Sequence, residues 1–160
     1  MLSKLAILLI LFGSVAYAQD ETIVSGGIGI SNSGKKSLAE TKMLTLSFQE
    51  DLWGPLKQRG TLGGWIDNAG GGKTGSALAA AQIGWEIERN GIVASVFSGP
   101  CLLSETDILL GGHFQFMDDL HLGIRDVSGY YIGVIYRHIS SAGIATPNIG
   151  RDIVGLEFRF

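Results

Sequence analysis

From Arg151 to the C-terminal Phe160 the chain alternates strictly at a period of two residues. Asp152, Val154, Leu156, Phe158 and Phe160 fall on one face of an extended segment, and Arg151, Ile153, Gly155, Glu157 and Arg159 on the other. After its first residue the even face is wholly apolar, while the odd face carries three charges. A helix would scatter these residues around its axis, whereas a strand sends successive side chains to opposite faces. In a soluble sandwich the apolar face turns inward to a core; in a membrane barrel it turns outward to lipid. The pattern alone fits both.

The same period recurs along the chain. Thr22 to Ile30 reads as a strand, as does Met43 to Phe48, where Leu44, Leu46 and Phe48 share a face. Gly60 to Ile66, Ala77 to Ile87, Gly91 to Phe97, Ile108 to Ile124, Tyr130 to Ile139 and Asp152 to Phe160 follow. Loops rich in Gly, Asn, Ser and Lys separate most of them, as at Ser31 to Lys36 and Asp67 to Gly75. The long Ile108 to Ile124 segment counts as one strand with a bulge or kink at Met117-Asp118-Asp119, giving eight; splitting it there would give nine. Composition narrows the classes further. The 24 glycines follow no three-residue period, which excludes collagen, and 46% hydrophobic residues exclude disorder. A net charge of −3 offers no basic footprint for nucleic acid, and the single cysteine, Cys101, supports neither a disulfide framework nor a zinc module. No internal repeat or linker divides the chain.

Met1 to Ala18 has the form of a cleaved secretory signal peptide. Lys4 supplies the positive start, Leu5 to Val15 an apolar run, and Ala16-Tyr17-Ala18 a small-x-small cleavage site. The run is shorter than the ~20 apolar residues of a spanning helix, and no lipobox cysteine accompanies it. Residues 19–160 then form one domain. Eight strands there leave about 18 residues for each strand and its connection, against about 9–11 for a tilted membrane-spanning strand. An even count also returns both termini to one side of the membrane. The ending Phe158-Arg159-Phe160 resembles the assembly signal of Gram-negative outer-membrane barrels. The expectation is an all-β fold: an eight-stranded antiparallel transmembrane β-barrel of the bacterial outer membrane, its lumen filled by side chains rather than open as a pore. A soluble periplasmic lipid-binding barrel is the competing architecture, and it requires the even face of the last strand to be buried.

In the barrel, one group of polar residues falls on the lipid side. Ile132 and Val134 turn the even face of the seventh strand outward, which places His138 and Ser140 there as i, i+2 neighbours. Asp152 opens the next strand on the same surface. With a periplasmic N-terminus the seventh strand reaches the external surface near Ser140, and Ser141 to Arg151 is an external loop. A lipid-facing Arg or Lys costs about 2–4 kcal/mol at the midplane, an acid less, and about 0–1 kcal/mol near the interface, so energetics permit the trio without requiring a function of it. A polar aromatic girdle including Tyr136 explains it equally. Serine needs an adjacent base to become a nucleophile; an imidazole serves, oriented by a carboxylate. His138, Ser140 and Asp152 are those residue types.

The run Tyr136-Arg137-His138-Ile139-Ser140-Ser141-Ala142-Gly143-Ile144 through Pro147-Asn148-Ile149-Gly150 resembles the C-terminal motif of the outer-membrane lipid A 3-O-deacylases, close to His-x-Ser-Asn-Ala-Gly, then Pro-Asn-x-Gly, then an acid. The spacing from His138 to Asp152 matches without a gap. Phe114 to Leu120 is similar to the family's sixth strand, which carries an acid after an aromatic-rich run, and Gly91 to Gly99 to its fifth. The resemblance implies a serine esterase that removes the ester-linked 3-hydroxyacyl chain at position 3 of lipid A. Ser140 would be nucleophile, His138 general base and Asp152 the orienting acid, with Asn148 and a backbone N–H near Ala142-Gly143 forming the oxyanion hole. The chain departs from the pattern with Asp152 in place of Glu and Ser141 in place of Asn. Lipopolysaccharide is the implied substrate and outer-membrane lipid the surroundings, with no metal or organic cofactor needed, no nucleic acid, and a homodimer left open. Arg137 and Arg151 lie near the external end, but both read as lumen-facing.

Other features carry less. Gly71-Gly72-Lys73-Thr74 has part of a phosphate-loop pattern, but Asp67 stands where its first Gly belongs and the sequence then alternates instead of turning helical. His113, Asp118, Asp119 and His121 lie along one strand and read as lumen polar residues rather than metal ligands. Trp53, Trp65 and Trp85 read as interfacial anchors or lumen fillers, and Cys101 as part of an external loop. The functional alternative is a small structural or adhesive barrel without catalysis.

Overall fold

The computed structural model describes residues 21–31, 39–67, 74–106, 110–146, 148 and 150–160. The expected signal peptide and the Gly71 to Lys73 loop lie outside them. The strands are β1 (Glu21–Ser31), β2 (Ala39–Trp53), β3 (Leu56–Asp67), β4 (Thr74–Arg89), β5 (Ile92–Leu103), β6 (Phe114–Arg125), β7 (Tyr131–Ser140) and β8 (Arg151–Arg159). Each pairs antiparallel with the next, and β8 pairs back to β1, closing the barrel in sequence order. Closure leaves no strand edge to pair with another chain.

The connections sort by length to the two ends. Gly54-Pro55 joins β2 to β3, and Asn90-Gly91 joins β4 to β5. Asn90 and Gly91 both take positive φ, 55° and 76°, as the type I′ turn favoured in two-residue hairpins requires. Residues 126–130 join β6 to β7. At the opposite end the β5–β6 and β7–β8 connections span residues 104–113 and 141–150. Membrane barrels carry short periplasmic turns and longer external loops, so the C-terminal end of β7 is the external end.

The barrel is inside out relative to a soluble domain. Ile28, Leu44, Leu62, Ile83, Ile87, Val96, Leu120, Leu122, Ile132, Val134, Val154 and Leu156 all face outward and are exposed. Arg59, Arg137, Arg151 and Arg159 are buried inside it. A water-soluble protein would not leave that band bare, whereas lipid covers it without penalty. The even face of β8 is therefore exterior, against the soluble-barrel reading.

The interior charges are partnered. Arg137 grips Asp119 with Nε at 2.7 Å and Nη2 at 2.8 Å, and its Nη1 reaches Thr45. Arg151 pairs with Asp67 at 2.7 Å and lies 5.0 Å from the Trp65 ring centroid. Nearer the other end Arg59 bonds Gln49, Arg159 bonds Glu157 and Glu86, and His121 sits between Arg59 and Glu157 at 2.8 and 2.9 Å. Such partners make buried charge tolerable, since an unpaired ion in this interior would cost several kcal/mol.

Three sequence expectations need correction. β6 runs straight through the aspartates, with unbroken register to β5 and β7 across Met117, Asp118 and Asp119, so the expected kink is absent. Asp118 consequently faces outward while Asp119 and His121 face the lumen, because plain alternation separates neighbours that a bulge would have realigned. Cys101 is in no loop: β5 continues to Leu103, and Cys101 is buried inside the barrel. Pro100 suggested a strand end because it has no N–H to give the ladder. The β4–β5 pairing lapses there, from Ile83↔Ser98 to Ala80↔Cys101, while the β5–β6 pairing carries the strand across the gap. The tryptophans divide, Trp65 inside and Trp53 and Trp85 exposed.

Candidate functional site

The register of four adjacent strands sets polar residues in one row across the outer wall. Ser98 on β5 pairs with Asp118 on β6, Asp118 with His138 on β7, and His138 with Asp152 on β8. All four point outward, because every one lies on the even face of its strand. The row sits near the external rim, about where the apolar band gives way to headgroups and polar groups become inexpensive.

Two bonds organise it. His138 Nδ1 lies 2.8 Å from Asp152 Oδ1, and Ser98 Oγ donates to Asp118 Oδ1 at 2.5 Å. The Tyr136 hydroxyl donates to the same Asp152 Oδ1 at 2.6 Å. With Nδ1–H given to the carboxylate, His138 keeps its free lone pair on Nε2. The side chains of His138 and Asp152 are 33% and 39% exposed, so the pair is reachable from the lipid side without being loose in solvent.

Ser140 follows two residues beyond His138 on the same face of β7, opposite Phe116 of β6. It is half-buried. The structure joins His138 to Asp152 directly and sets Ser140 beside them on the same wall; the three do not form one continuous chain of hydrogen bonds among the described contacts.

Beyond Ser140 the chain turns sharply. Ile144 N–H bonds the Ser141 carbonyl at 3.0 Å, and Ala142 and Gly143 between them both have positive φ, 51° and 83°. That is again type I′ geometry, which Gly accepts freely and Ala accepts at a cost of about 1–2 kcal/mol. The turn's own hydrogen bond consumes neither the Ala142 nor the Gly143 N–H. Ser141 is buried, and its hydroxyl bonds the Ala145 carbonyl at 3.1 Å. The Ser141 N–H donates to Asn148 Oδ1 at 2.8 Å, which fixes that carboxamide and leaves its NH2 to donate elsewhere. Gly150, with φ +81°, brings the loop back beneath His138, and a Cβ there would stand 2.7 Å from Cε1 of the imidazole and 3.3 Å from Nε2.

Arg137 and Arg151, the external-end cations, are sealed in the lumen and do not reach this surface. His113 is bonded to the Leu103 carbonyl, and no cluster of three metal-ligating side chains occurs among the described residues. Sequence reasoning missed the outward placement of Asp118 and the contacts of Tyr136 and Gly150. The parity of Asp118 with Leu120 and Leu122 was the available signal for the first.

Comparison with known proteins bears on the same segment. The family model described as Lipid A 3-O-deacylase (PagL) matches residues 42–160. The lipid A deacylase PagL of Bordetella bronchiseptica is 37% identical over 119 residues, which cover 68% of this chain and 64% of that protein. The chain thus spans a little under two thirds of the length of that relative. Among solved structures, the crystal structure of the outer membrane enzyme PagL superposes with a TM-score of 0.64 at 24% identity, covering 86% of this chain and 98% of the other. That likeness bears on the fold.

Proposed function

Since the chain belongs to the lipid A 3-O-deacylase (PagL) family, we propose that it is an outer-membrane serine esterase that removes the 3-hydroxyacyl chain ester-linked at position 3 of lipid A. The observation that carries this reading is the place of the His138–Asp152 pair with Ser140. They lie on the outer wall at the external rim, where an outer-leaflet lipid meets them by lateral diffusion, and not in the lumen with Arg137, Asp119 and Arg151.

The chemistry follows from the residue types. Nε2 of His138 accepts the proton of Ser140 Oγ as that oxygen attacks the ester carbonyl, and Asp152 stabilises the imidazolium that forms. The tetrahedral oxyanion takes hydrogen bonds from the Asn148 NH2 and from the turn N–H of Gly143. His138 then returns its proton to the departing sugar hydroxyl. Water, activated by the same imidazole, hydrolyses the acyl-serine and releases the 3-hydroxy acid. No step needs a metal or an organic cofactor.

The two departures from the family pattern are compatible with this chemistry. Asp152 is one methylene shorter than Glu, and its carboxylate still lies within hydrogen-bond reach of the imidazole. Ser141 faces inward and retains the backbone N–H that anchors Asn148. The test is expression of the full-length chain in an outer membrane, with mass spectrometry of lipid A beside a folded Ser140→Ala control. Loss of one 3-hydroxyacyl mass, absent in the control, is expected. Unaltered lipid A from a verified folded barrel would overturn the reading and leave a structural barrel.

A further inference from the structure

The acid of this site has a second donor besides the histidine, the Tyr136 hydroxyl. We infer that Tyr136 is a positioning residue: its hydroxyl, donated to Asp152 Oδ1, holds a short carboxylate in the one orientation that engages His138. The inference deepens the reading above and rests on it for its kinetic consequence, but not for its structural one.

Tyr136 stands opposite Val154, one step along the outer face from the His138–Asp152 pair. Diagonal partners of this kind are about 7–8 Å apart, a gap that a phenol spans and a shorter side chain does not. Its hydroxyl lies 2.6 Å from Oδ1, the oxygen that His138 Nδ1 meets at 2.8 Å. The hydroxyl extends toward the external rim and across to β8, where it ends on a carboxylate rather than on water or a headgroup. A phenol donating to an ionised carboxylate makes a charge-assisted bond, stronger than a neutral one. The half-exposed Asp152 side chain would otherwise be free to rotate toward water and away from the imidazole. With Tyr136 in place, the productive rotamer is the one satisfied by two donors. Glu at this position would have a methylene more with which to reach the ring, so the clamp matters most for an acid as short as Asp152.

The test pairs kinetics with a readout that does not require turnover. In full-length barrel in detergent micelles acting on lipid A, Tyr136→Phe is expected to lower kcat about tenfold, the scale of one hydrogen bond to a charged group, with KM unchanged. In an Asp152→Asn background the same change is expected to cost nothing further, because Tyr136 acts through that carboxylate. Tyr136→Phe with Asp152→Glu is expected to recover most of the loss. Equal losses in both backgrounds, or no loss in either, would overturn the inference. The second readout is the Nδ1–H resonance of His138 in barrel labelled at its three histidines, assigned by its absence from His138→Gln. Tyr136→Phe is expected to shift it, and an unshifted resonance would overturn the clamp. If the wild-type barrel leaves lipid A intact, the esterase reading falls while this resonance still decides the role of Tyr136.

Discussion

Gly150→Ala isolates the geometric requirement of the histidine. Two costs combine at this position. The first is backbone: φ is +81°, and a Cβ in the left-handed region costs about 1–2 kcal/mol. The second is contact: the new methyl would stand 2.7 Å from Cε1 of His138. That is at least about 0.8 Å inside the carbon–carbon optimum of roughly 3.5–4.0 Å. Gly150 is held in the loop with the Ile139 carbonyl 3.4 Å from the same Cβ, so the imidazole is the group that gives way. A displacement of that size takes Nδ1, now 2.8 Å from Asp152, beyond good hydrogen-bonding distance. Misplacement of a catalytic group by about 1 Å costs on the order of 10²-fold in rate. The matched control is Gly129→Ala, at the other end of the barrel, where φ is +92° and a Cβ meets nothing within 4 Å. Thermal unfolding by circular dichroism is expected to show similar small losses for both variants. Lipid A deacylation is expected to fall about a hundredfold only for Gly150→Ala. Equal activity of the two variants would refute the argument that the glycine makes room for the ring.

Three further outcomes follow from the same structure. Asp119→Asn leaves the sealed Arg137 guanidinium without its ionised partner and is expected to cost the barrel about 3–5 kcal/mol, whereas Asp119→Leu with Arg137→Met recovers most of it, as denaturant unfolding of the refolded barrel would measure. His138→Ala is expected to abolish turnover, because the ring supplies the base that activates Ser140, and an undiminished deacylation rate in the folded variant would remove His138 from that role. Cys101, buried within β5, would resist maleimide in the folded barrel and react once unfolded; modification of the folded protein would contradict its placement inside the wall.

The architecture was legible because alternation survives in lipid as it does in water. Asp152 to Phe160 announces a two-faced strand whichever way it turns, and only the exposed Val154, Leu156 and Phe158 opposite the enclosed Ile153 and Arg159 decide the direction. Strand ends were less legible. β2 extends from Ala39 to Trp53, well beyond the apolar core Met43 to Phe48, because closed-barrel pairing to β3 carries polar residues such as Gln49 and Glu50 into the wall. Pro100 misled for a related reason: a proline stops one ladder of a central strand, and β5 retains the other.

The candidate site divides along the same physical line. His138 and Ser140 could be placed on one face from sequence because their separation is two residues in one strand, and Asp152 because a hairpin carries it back beside them. Their register was not written in the sequence. It depends on the length and turns of residues 141–150, where Ala142 accepts positive φ so that the chain doubles back sharply enough to bring Gly150 beneath the imidazole. Asp118 and Tyr136 belong to the same row through pairings that cross from β6 to β7 to β8, and no local pattern encodes a cross-strand neighbour. The sequestration of Arg137 and Arg151 in the lumen then has a consequence for recognition. Arg137 and Arg151 neutralise Asp119 and Asp67 rather than face the membrane, so electrostatic attraction for lipid phosphates at this rim does not come from these two. What the wall around the row does present to lipid is apolar, with Phe114, Leu120, Val134 and Val154 exposed on it, and Lys42 is exposed two strands away on the outer face of β2.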